Sequence, residues 1–463
     1  MAKGTKKKET LTPEEKLQQA LVPVEEQPYP VPGNWCWTRW GNVGTFVAGN
    51  GFKNEFQGFT GYEIPFYKVG SLKYSDSNGF IYDNTNTISE EMRSALKASL
   101  IPTQSILFAK IGEAIRLNRR SVNEVACCID NNMMAFVPKC LMRYAFFWSC
   151  GIDLYEYTNA TTVPAIRKSD LEVIPFPLPP LPEQQRIVAR IESLFAKLDE
   201  VKEKVQAVVD GYEDRKAAIL HKAFTGELTA KWREENNVKL SDWTTYKLKE
   251  ICKINPKKID TKDMPDNLEV SFFPMPALSE IYGAITEPQT RLLKEVRTGF
   301  TNFCEGDVVF AKITPCMENG KSAVIGKLVN NIGFGTTEFF VLRCEEGLYN
   351  RFLYHMVRSR HFRDEAKSVM TGAVGQQRVP KGFLEEYLIH LPLYKEQNEI
   401  VRLLDSFFIK ERQIVDTSEN ILDQIDTMKK SILARAFRGE LGTNDPADKP
   451  AVKLLKKVLE EEK

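Results

Sequence analysis

LPPLPEQQRIVARIESLF at residues 178–195 returns as LPLYKEQNEIVRLLDSFF at 391–408. Each copy runs on to a matching close: YEDRKAAILHKAFTGEL ends at Leu228 and IDTMKKSILARAFRGEL at Leu441. Glu183 maps onto Glu396 and Leu228 onto Leu441, an offset of 213 at both ends (396 − 183 and 441 − 228), with no gap between. A repeat held in register over this length decides the architecture before any local element is considered.

Each copy reads as one long helix. Ile187, Ile191, Leu194, Leu198, Val201, Val205, Val208, Tyr212 and Ile219 follow one another at steps of four and three, broken by Arg215. Ile400, Leu404, Phe407, Ile414, Ile421, Ile425, Met428 and Ile432 keep the same register, broken by Glu411 and Ser418. Such steps put apolar side chains on one narrow stripe, the seam of a coiled coil. No Pro or Gly interrupts 183–210 or 396–438, so a helix of about 43 residues, ~65 Å long, is expected. Two ordinary amphipathic helices packed on their own domains would show a similar stripe. Such helices average about 11–12 residues, and chance does not preserve register, a Glu-Gln start and an Ala-Phe-x-Gly-Glu-Leu close together. The economical partner for each stripe is the other copy.

Around the helices lie two globular stretches. The first, from near Trp35 to Pro177, reads as short strands (IPFYKVG, GFIYD, SILFAKIG, MMAFVP) separated by turns such as Ser77-Asn78-Gly79, with helical patterns at 89–98 and 141–150. The second, from near Trp243 to His390, echoes it faintly: Trp35 aligns with Trp243, and Phe108-Ala109-Lys110-Ile111 with Phe310-Ala311-Lys312-Ile313. The fold expected is α+β: two mixed α/β domains separated by two long helices that pair as an antiparallel coiled coil, a pseudo-twofold internal repeat. At the front, Thr12-Pro13-Glu14-Glu15 is a capping box with Pro at the first helical position, so a short helix should run to about Leu21.

The 463 residues carry a formal net charge of +1 and 43% hydrophobic residues. Packed cores are expected, and bulk charge announces no polyanion, although a local basic face can still bind one. Nine cysteines without framework spacing suggest reduced thiols and a cytoplasmic protein. The four histidines do not pair with cysteines at zinc-ligand spacing. No apolar run approaches a membrane span, and the basic start MAKGTKKKET lacks the apolar core of a signal peptide.

Catalytic motifs are missing. Gly320-Lys321-Ser322 suggests a phosphate-binding loop, but Pro315 stands where its first Gly belongs. Asn255-Pro256 is followed by two lysines rather than the apolar or aromatic residues of an amino-methyltransferase tetrapeptide. Binding character is easier to find. In each globule a strand runs into a basic loop: Lys110, Arg116, Asn118, Arg119 and Arg120 in the first; Lys312, Thr314, Asn319 and Lys321 in the second. A further loop, 371–378, holds Gln376, Gln377 and Arg378 beside two glycines. Arg, Asn and Gln can pair with base edges, and Lys and Thr suit phosphates. The first globule has Thr158–Thr162 at the comparable place, polar but not basic.

The doubled helix with its Ala-Phe-x-Gly-Glu-Leu close, the stretch Phe-Ala-Lys-Ile-Thr-Pro-Cys-Met-Glu-Asn-Gly-Lys at 310–321 and Gly-Gln-Gln-Arg-Val-Pro-Lys at 375–381 resemble the specificity subunit of type I restriction–modification systems. So does the N-terminal Leu-Thr-Pro-Glu-Glu…Ala-Leu-Val-Pro. The resemblance covers nearly the whole chain. It implies a non-catalytic, DNA-binding subunit with an N-terminal tail (1–31), a target-recognition domain (32–177), a spacer helix (178–228), a second recognition domain (229–390), a second spacer helix (391–441) and a C-terminal tail with a short helix (442–463). Each recognition domain would read half of a split site on double-stranded DNA. Ile187, Ile191, Leu194, Leu198, Val201, Val205, Ile400, Leu404, Phe407, Ile414, Ile421 and Ile425 would form the helix and subunit interface. Two methylation subunits would dock on the helices, bringing S-adenosylmethionine and flipping out the target adenine. A restriction subunit would add ATP- and Mg-dependent cleavage. This chain would hold no cofactor or metal and meet no membrane. The competing expectation is a non-catalytic coiled-coil adaptor whose globules bind proteins, distinguished by the salt dependence of duplex binding.

Overall fold

The computed structural model of the chain describes residues 12–159, 163–280, 283–373 and 375–460. The chain forms two compact units, one of residues up to Lys204 together with those from Ile421 onward, the other Val205–Asn420. Each mixes sheets and helices. No helix among the described residues is long and apolar enough to cross a membrane.

In the first unit a five-stranded sheet runs in the order Gly44–Ala48, Met133–Pro138, Ile106–Ala109, Ser121–Asn123, Phe80–Ile81, antiparallel except for the last pair. Trp40, Phe46, Phe108, Phe136 and Trp148 cluster around it. A ribbon, Cys36–Arg39 against Pro175–Leu178, closes the domain next to the first long helix. The N-terminal segment is docked: Pro13–Ala20 is a helix with the expected capping box, Ala20 and Val22 are buried, and Val22 N–H donates to the Trp37 carbonyl.

The second unit holds two four-stranded sheets. One runs Cys252–Ile254, Phe339–Cys344, Val308–Ala311, Ser322–Val324; the other Gln289–Leu292, Glu269–Phe273, Gly333–Gly335, Thr301–Phe303. Thr244–Lys247 pairs with Leu388–Leu391 in the register of the first unit's ribbon: Thr244 faces Leu391 as Cys36 faces Leu178.

The Glu-Gln pair that starts each long helix does the same work twice. Glu183 accepts the Trp35 indole N–H at 2.8 Å, and Glu396 that of Trp243 at 3.0 Å. Both carboxylates are wholly buried. Thr229 and Arg233 complete the bonding of Glu396; Asn444 donates to Glu183. Gln184 accepts the N–H of Leu141, just ahead of the helix Met142–Cys150, and Gln397 that of Tyr349, ahead of Asn350–Arg358. The repeat therefore records a fixed joint between each domain and its helix.

The second copy is a single helix, Tyr394–Ala436, of 43 residues. The first departs from expectation. It runs Leu181–Asp210, passes Gly211, and resumes as Tyr212–Phe224. Backbone hydrogen bonds continue across Gly211, but its ψ of −1° lies off the helical value. A Cβ at Gly211 would sit 2.7 Å from Arg215 Nη1, so glycine leaves room for that guanidinium to fold back over the joint.

Within the first unit the helices are antiparallel: Asp199 meets Lys429 at 2.5 Å and Lys202 meets Asp426 at 3.2 Å. Within the second, Arg215 meets Glu411, and Leu220 and Ala223 share a core with Ile400, Val401 and Leu404. The expected seam needs correction. Ile187, Ile191, Ile400, Leu404 and Ile425 are buried, and Leu194, Leu198, Val205, Phe407 and Ile421 half-buried. Val201 and Ile414 are each 44% exposed, as are Val208 and Met428 to similar degrees, while Glu411 and Ser418 are 7% exposed. Leu404, Glu411, Ser418 and Ile425 fall at steps of seven. An antiparallel pair covers one position per heptad fully, and two of the covered positions are polar.

Candidate functional site

In the second unit the strand Val308–Ala311 and its neighbour Ser322–Val324 are joined by 312–321. Met317, Asn319, Gly320 and Lys321 N–H groups bond back to carbonyls four or five residues earlier or nearer, winding the loop tightly. Gly320 closes the turn at φ +71°, the left-handed region that favours glycine. Lys321 then leads into the returning strand, which starts at Ser322, buried and donating to the Gly320 carbonyl. Gly320-Lys321-Ser322 is thus a strand start rather than a phosphate cradle.

The loop 371–378 lies on this corner. Thr314 N–H donates to the Gln377 carbonyl at 3.0 Å, Gln377 N–H to Thr314 Oγ1 at 3.1 Å, and Val379 N–H to the Lys312 carbonyl at 2.9 Å. Lys312, Thr314, Gln376, Gln377 and Arg378 are thereby gathered; Val374 lies outside the described residues. Gln376 is exposed, and Lys321 makes no ion pair among the described residues. Arg378 is held by a forked pair with Glu338, at 2.8 and 3.0 Å. The guanidinium keeps the Glu338 carboxyl below its usual range. Asn319 is engaged by Glu280 at 3.0 Å.

The first unit repeats the wiring with other side chains. Gly112 N–H donates to the Pro164 carbonyl at 2.7 Å and Ile166 N–H to the Lys110 carbonyl at 2.9 Å, the counterparts of the Thr314 and Val379 bonds. Ile111 bridges Ala165 as Ile313 bridges Arg378, so Ala165 stands where the second unit has its arginine. Asn159 N–H donates to the Ala165 carbonyl at 3.0 Å as Thr371 N–H does to the Arg378 carbonyl; of the Thr158–Thr162 stretch, residues 160–162 lie outside the described set.

Of the first unit's basic residues, Lys110 is half-buried and Arg119 exposed, neither with an ion pair among the described residues. Arg116 pairs with Glu113 at 2.7 Å and stacks 3.6 Å from the centre of the Tyr155 ring. Asn118, in the left-handed region, donates to the Ile152 carbonyl and accepts from Leu154 N–H. Arg120 is a correction. It is 7% exposed, and its guanidinium is spent on the Arg119 and Ile152 carbonyls and on Asn118 Oδ1. Burial pulls it down to about 10. It clamps the loop from inside instead of facing a ligand. Sequence reasoning missed Glu338 and Tyr155, which aim Arg378 and Arg116; both lie far along the chain from the side chains they hold, and no spacing announces them. Among the described residues no three His, Cys, Asp or Glu side chains converge to hold a metal.

The family model described as the type I restriction modification DNA specificity domain matches residues 32–209 and again 240–425. The specificity subunit of the type I restriction enzyme EcoAI of Escherichia coli is 35% identical over 273 residues, 49% of this chain and 46% of that protein. The EcoEI specificity subunit, also of Escherichia coli, is 34% identical over 261 residues, 47% of this chain and 43% of that protein. The chain thus spans about half the length of these curated relatives. A chain solved in work on complex assembly and conformational transition of the type I R-M system superposes with a TM-score of 0.66 at 18% identity, covering 89% of this chain and 100% of that one. The HsdS subunit from Thermoanaerobacter tengcongensis gives 0.58 at 20%, covering 90% and 100%. At such identities the likeness speaks for the fold.

Proposed function

Since the chain belongs to the type I restriction–modification DNA specificity family, we propose that it is the non-catalytic subunit that reads a bipartite site on double-stranded DNA. Each domain reads one half. The observation that carries this reading is the pair of strand-to-loop corners: one backbone wiring, with Lys at the same place in both, and different side chains around it. A fixed scaffold presenting two different polar surfaces is what reading two different half-sites requires. The domains are residues 32–177 and 229–390, and the helices 178–228 and 391–441 set the interval between the half-sites. Lys110, Arg116, Arg119, Lys312, Thr314, Lys321, Gln376, Gln377 and Arg378 face the duplex, while Asn118 and Arg120 shape the loop behind them.

Two methylation subunits dock on the helices. The exposed apolar Val201 on one helix and Ile414 on the other support such docking, because a helix pair leaves them open. Those partners carry S-adenosylmethionine, and a restriction subunit, where one joins, carries ATP and Mg. The test is a genome-wide methyladenine map from cells expressing this chain with its neighbouring methyltransferase, against cells lacking the chain. A split motif that appears only with the chain is expected. No motif, despite a stable complex, overturns the reading.

A further inference from the structure

A cavity of about 240 Å³ opens in the second unit between the helix Tyr212–Phe224, the loop 312–321 and the helices Asn350–Arg358 and Arg360–Ser368. Its lining is charged and unbalanced. Three carboxylates each have a cation: Glu213 takes Lys216 at 3.1 Å, Glu318 takes Lys367 at 2.5 Å and Asp364 takes Arg360 at 3.6 Å. Two guanidinium groups remain. Arg358, 8% exposed, donates among the described residues to the carbonyls of Gly320 and Glu280. Arg363 donates to the Glu318 carbonyl, and its Nε is buried with no hydrogen-bond partner. Neither forms an ion pair among the described residues.

Buried charge is costly unless paired, and carbonyl oxygens offset it only in part. The lining sets five cations against three carboxylates, Glu213, Glu318 and Asp364, so the two guanidinium groups without a close ion pair leave room and charge for an anion. Burial, with added repulsion from Arg358 and Arg363, holds the Lys216 ammonium below its usual range. Burial likewise lowers Arg363. Planar guanidinium forks match the spacing of phosphoryl oxygens.

We propose that this cavity is a phosphate-binding site, in which Arg358 and Arg363 hold a phosphoryl oxyanion and Lys216, already paired with Glu213, stands beside it. The ligand chemistry is shared by two sources, a phosphate of the DNA backbone and a free phosphoryl group. Arg358 and Arg363 already grip carbonyls at 318 and 320, so an occupant ties the loop 312–321 to the helices behind it. With a backbone phosphate bound, the site anchors the duplex beside the second unit's reading corner. That version rests on the DNA-binding reading.

The experiment has two arms on the full chain. In the first, thermal unfolding is followed with increasing inorganic phosphate at constant ionic strength, for the wild type, Arg363→Gln, Lys216→Gln and the exposed control Arg435→Gln. Phosphate should raise the wild-type and control midpoints, and its apparent affinity should fall at least tenfold in either pocket variant. Equal protection of all four proteins, or of none, overturns a free-phosphate site. In the second arm duplex affinity is measured against salt. A backbone contact contributes about 0.9 to the slope, so Arg363→Gln should reduce it by about one. A reduced slope assigns the pocket to the DNA backbone. Phosphate protection with an unchanged slope assigns it to a free phosphoryl ligand. The absence of both effects overturns the proposal. Should Arg363→Gln fail to fold, Lys216→Gln carries both arms. Complete absence of duplex binding by the wild type sinks the DNA reading, while the phosphate arm still judges the pocket.

Discussion

Arg215 and Glu411, each a break in the apolar stripe of its own helix, meet one another: Nε and Nη2 of the arginine lie 3.0 and 2.8 Å from Glu411 Oε2. The carboxylate is buried while the guanidinium keeps about a third of its surface. Replacing Arg215 by Met strands a buried charge. Breaking such a pair should cost about 2–3 kcal/mol, less than a fully enclosed pair because the guanidinium is partly hydrated. Replacing both, as Arg215→Met with Glu411→Leu, should restore most of the loss. Denaturant unfolding with hydrogen exchange across residues 205–420 checks this. A double variant as weak as the single one would mean that the pair does more than cancel its own charges.

Adjacent arginines in the first unit should separate cleanly. Arg119→Ala removes an exposed cation and should lower the salt slope of duplex binding by about one, with little change in stability. Arg120→Met takes the side-chain donor from the Arg119 carbonyl and one of the two donors from the Ile152 carbonyl and from Asn118 Oδ1, at about 1–3 kcal/mol. Salt titrations and melting curves on the two variants read the contrast. Reversed phenotypes would place Arg120 rather than Arg119 against the DNA.

For the second unit, Arg378→Ala should weaken one half-site by about 1–3 kcal/mol if the guanidinium reads a base pair. Glu338→Gln loosens the forked hold on Arg378 without removing the cation. It should therefore raise affinity for non-target duplex and blur one position of a methylation motif. Equal loss at both half-sites in Arg378→Ala would contradict independent reading by the two domains.

Acid should act through His355. Its ring Nε2 donates to the Asp405 carboxylate at 3.1 Å, yet burial outweighs that bond and holds the imidazole below its ordinary 6.5. The folded chain thus binds this proton less readily than the unfolded chain does. Stability is undiminished above about pH 6.5 and is lost as pH falls below it. For Asp405, burial pushes upward, but bonds from His355 and Arg351 win and keep the carboxyl below its usual range. Its contribution is present above the ordinary carboxylate value and disappears only in stronger acid. Melting temperatures between pH 8 and 5 should decline for the wild type and flatten in His355→Gln. Parallel curves would assign the acid sensitivity to other groups.

The sequence carried the architecture because its two repeated segments constrain each other. A Glu-Gln pair found twice at one offset marked the repeat, and the structure shows its use as a joint: Trp35 on Glu183, Trp243 on Glu396. The capping box at Thr12 was equally readable, since its donors and acceptors lie within four residues. The seam was legible in direction but not in detail. Periodicity ranks residues by polarity, so it could not foresee that Glu411 belongs inside and Ile414 outside; that depends on Arg215 arriving from the other helix. The same limit applied to the site. Lys110 and Lys312 were found from a strand running into a basic loop. That Arg120 turns inward was decided by Ile152, and the aim of Arg378 by Glu338, both remote in sequence.

The helix Pro13–Ala20 packs beside Val452–Glu460, with Lys456 reaching Glu14 at 2.8 Å and Ala451 N–H donating to the Asn34 carbonyl. This junction of distant segments orders events during synthesis. Residues 205–420 are contiguous and can mature as soon as they leave the ribosome. The first domain, although translated earlier, must wait for a late-made segment to cover Trp35 and Ala20. Until then its flank around Ala20 and Trp35 stays open, and translation arrest before residue 451 would leave that core unfinished.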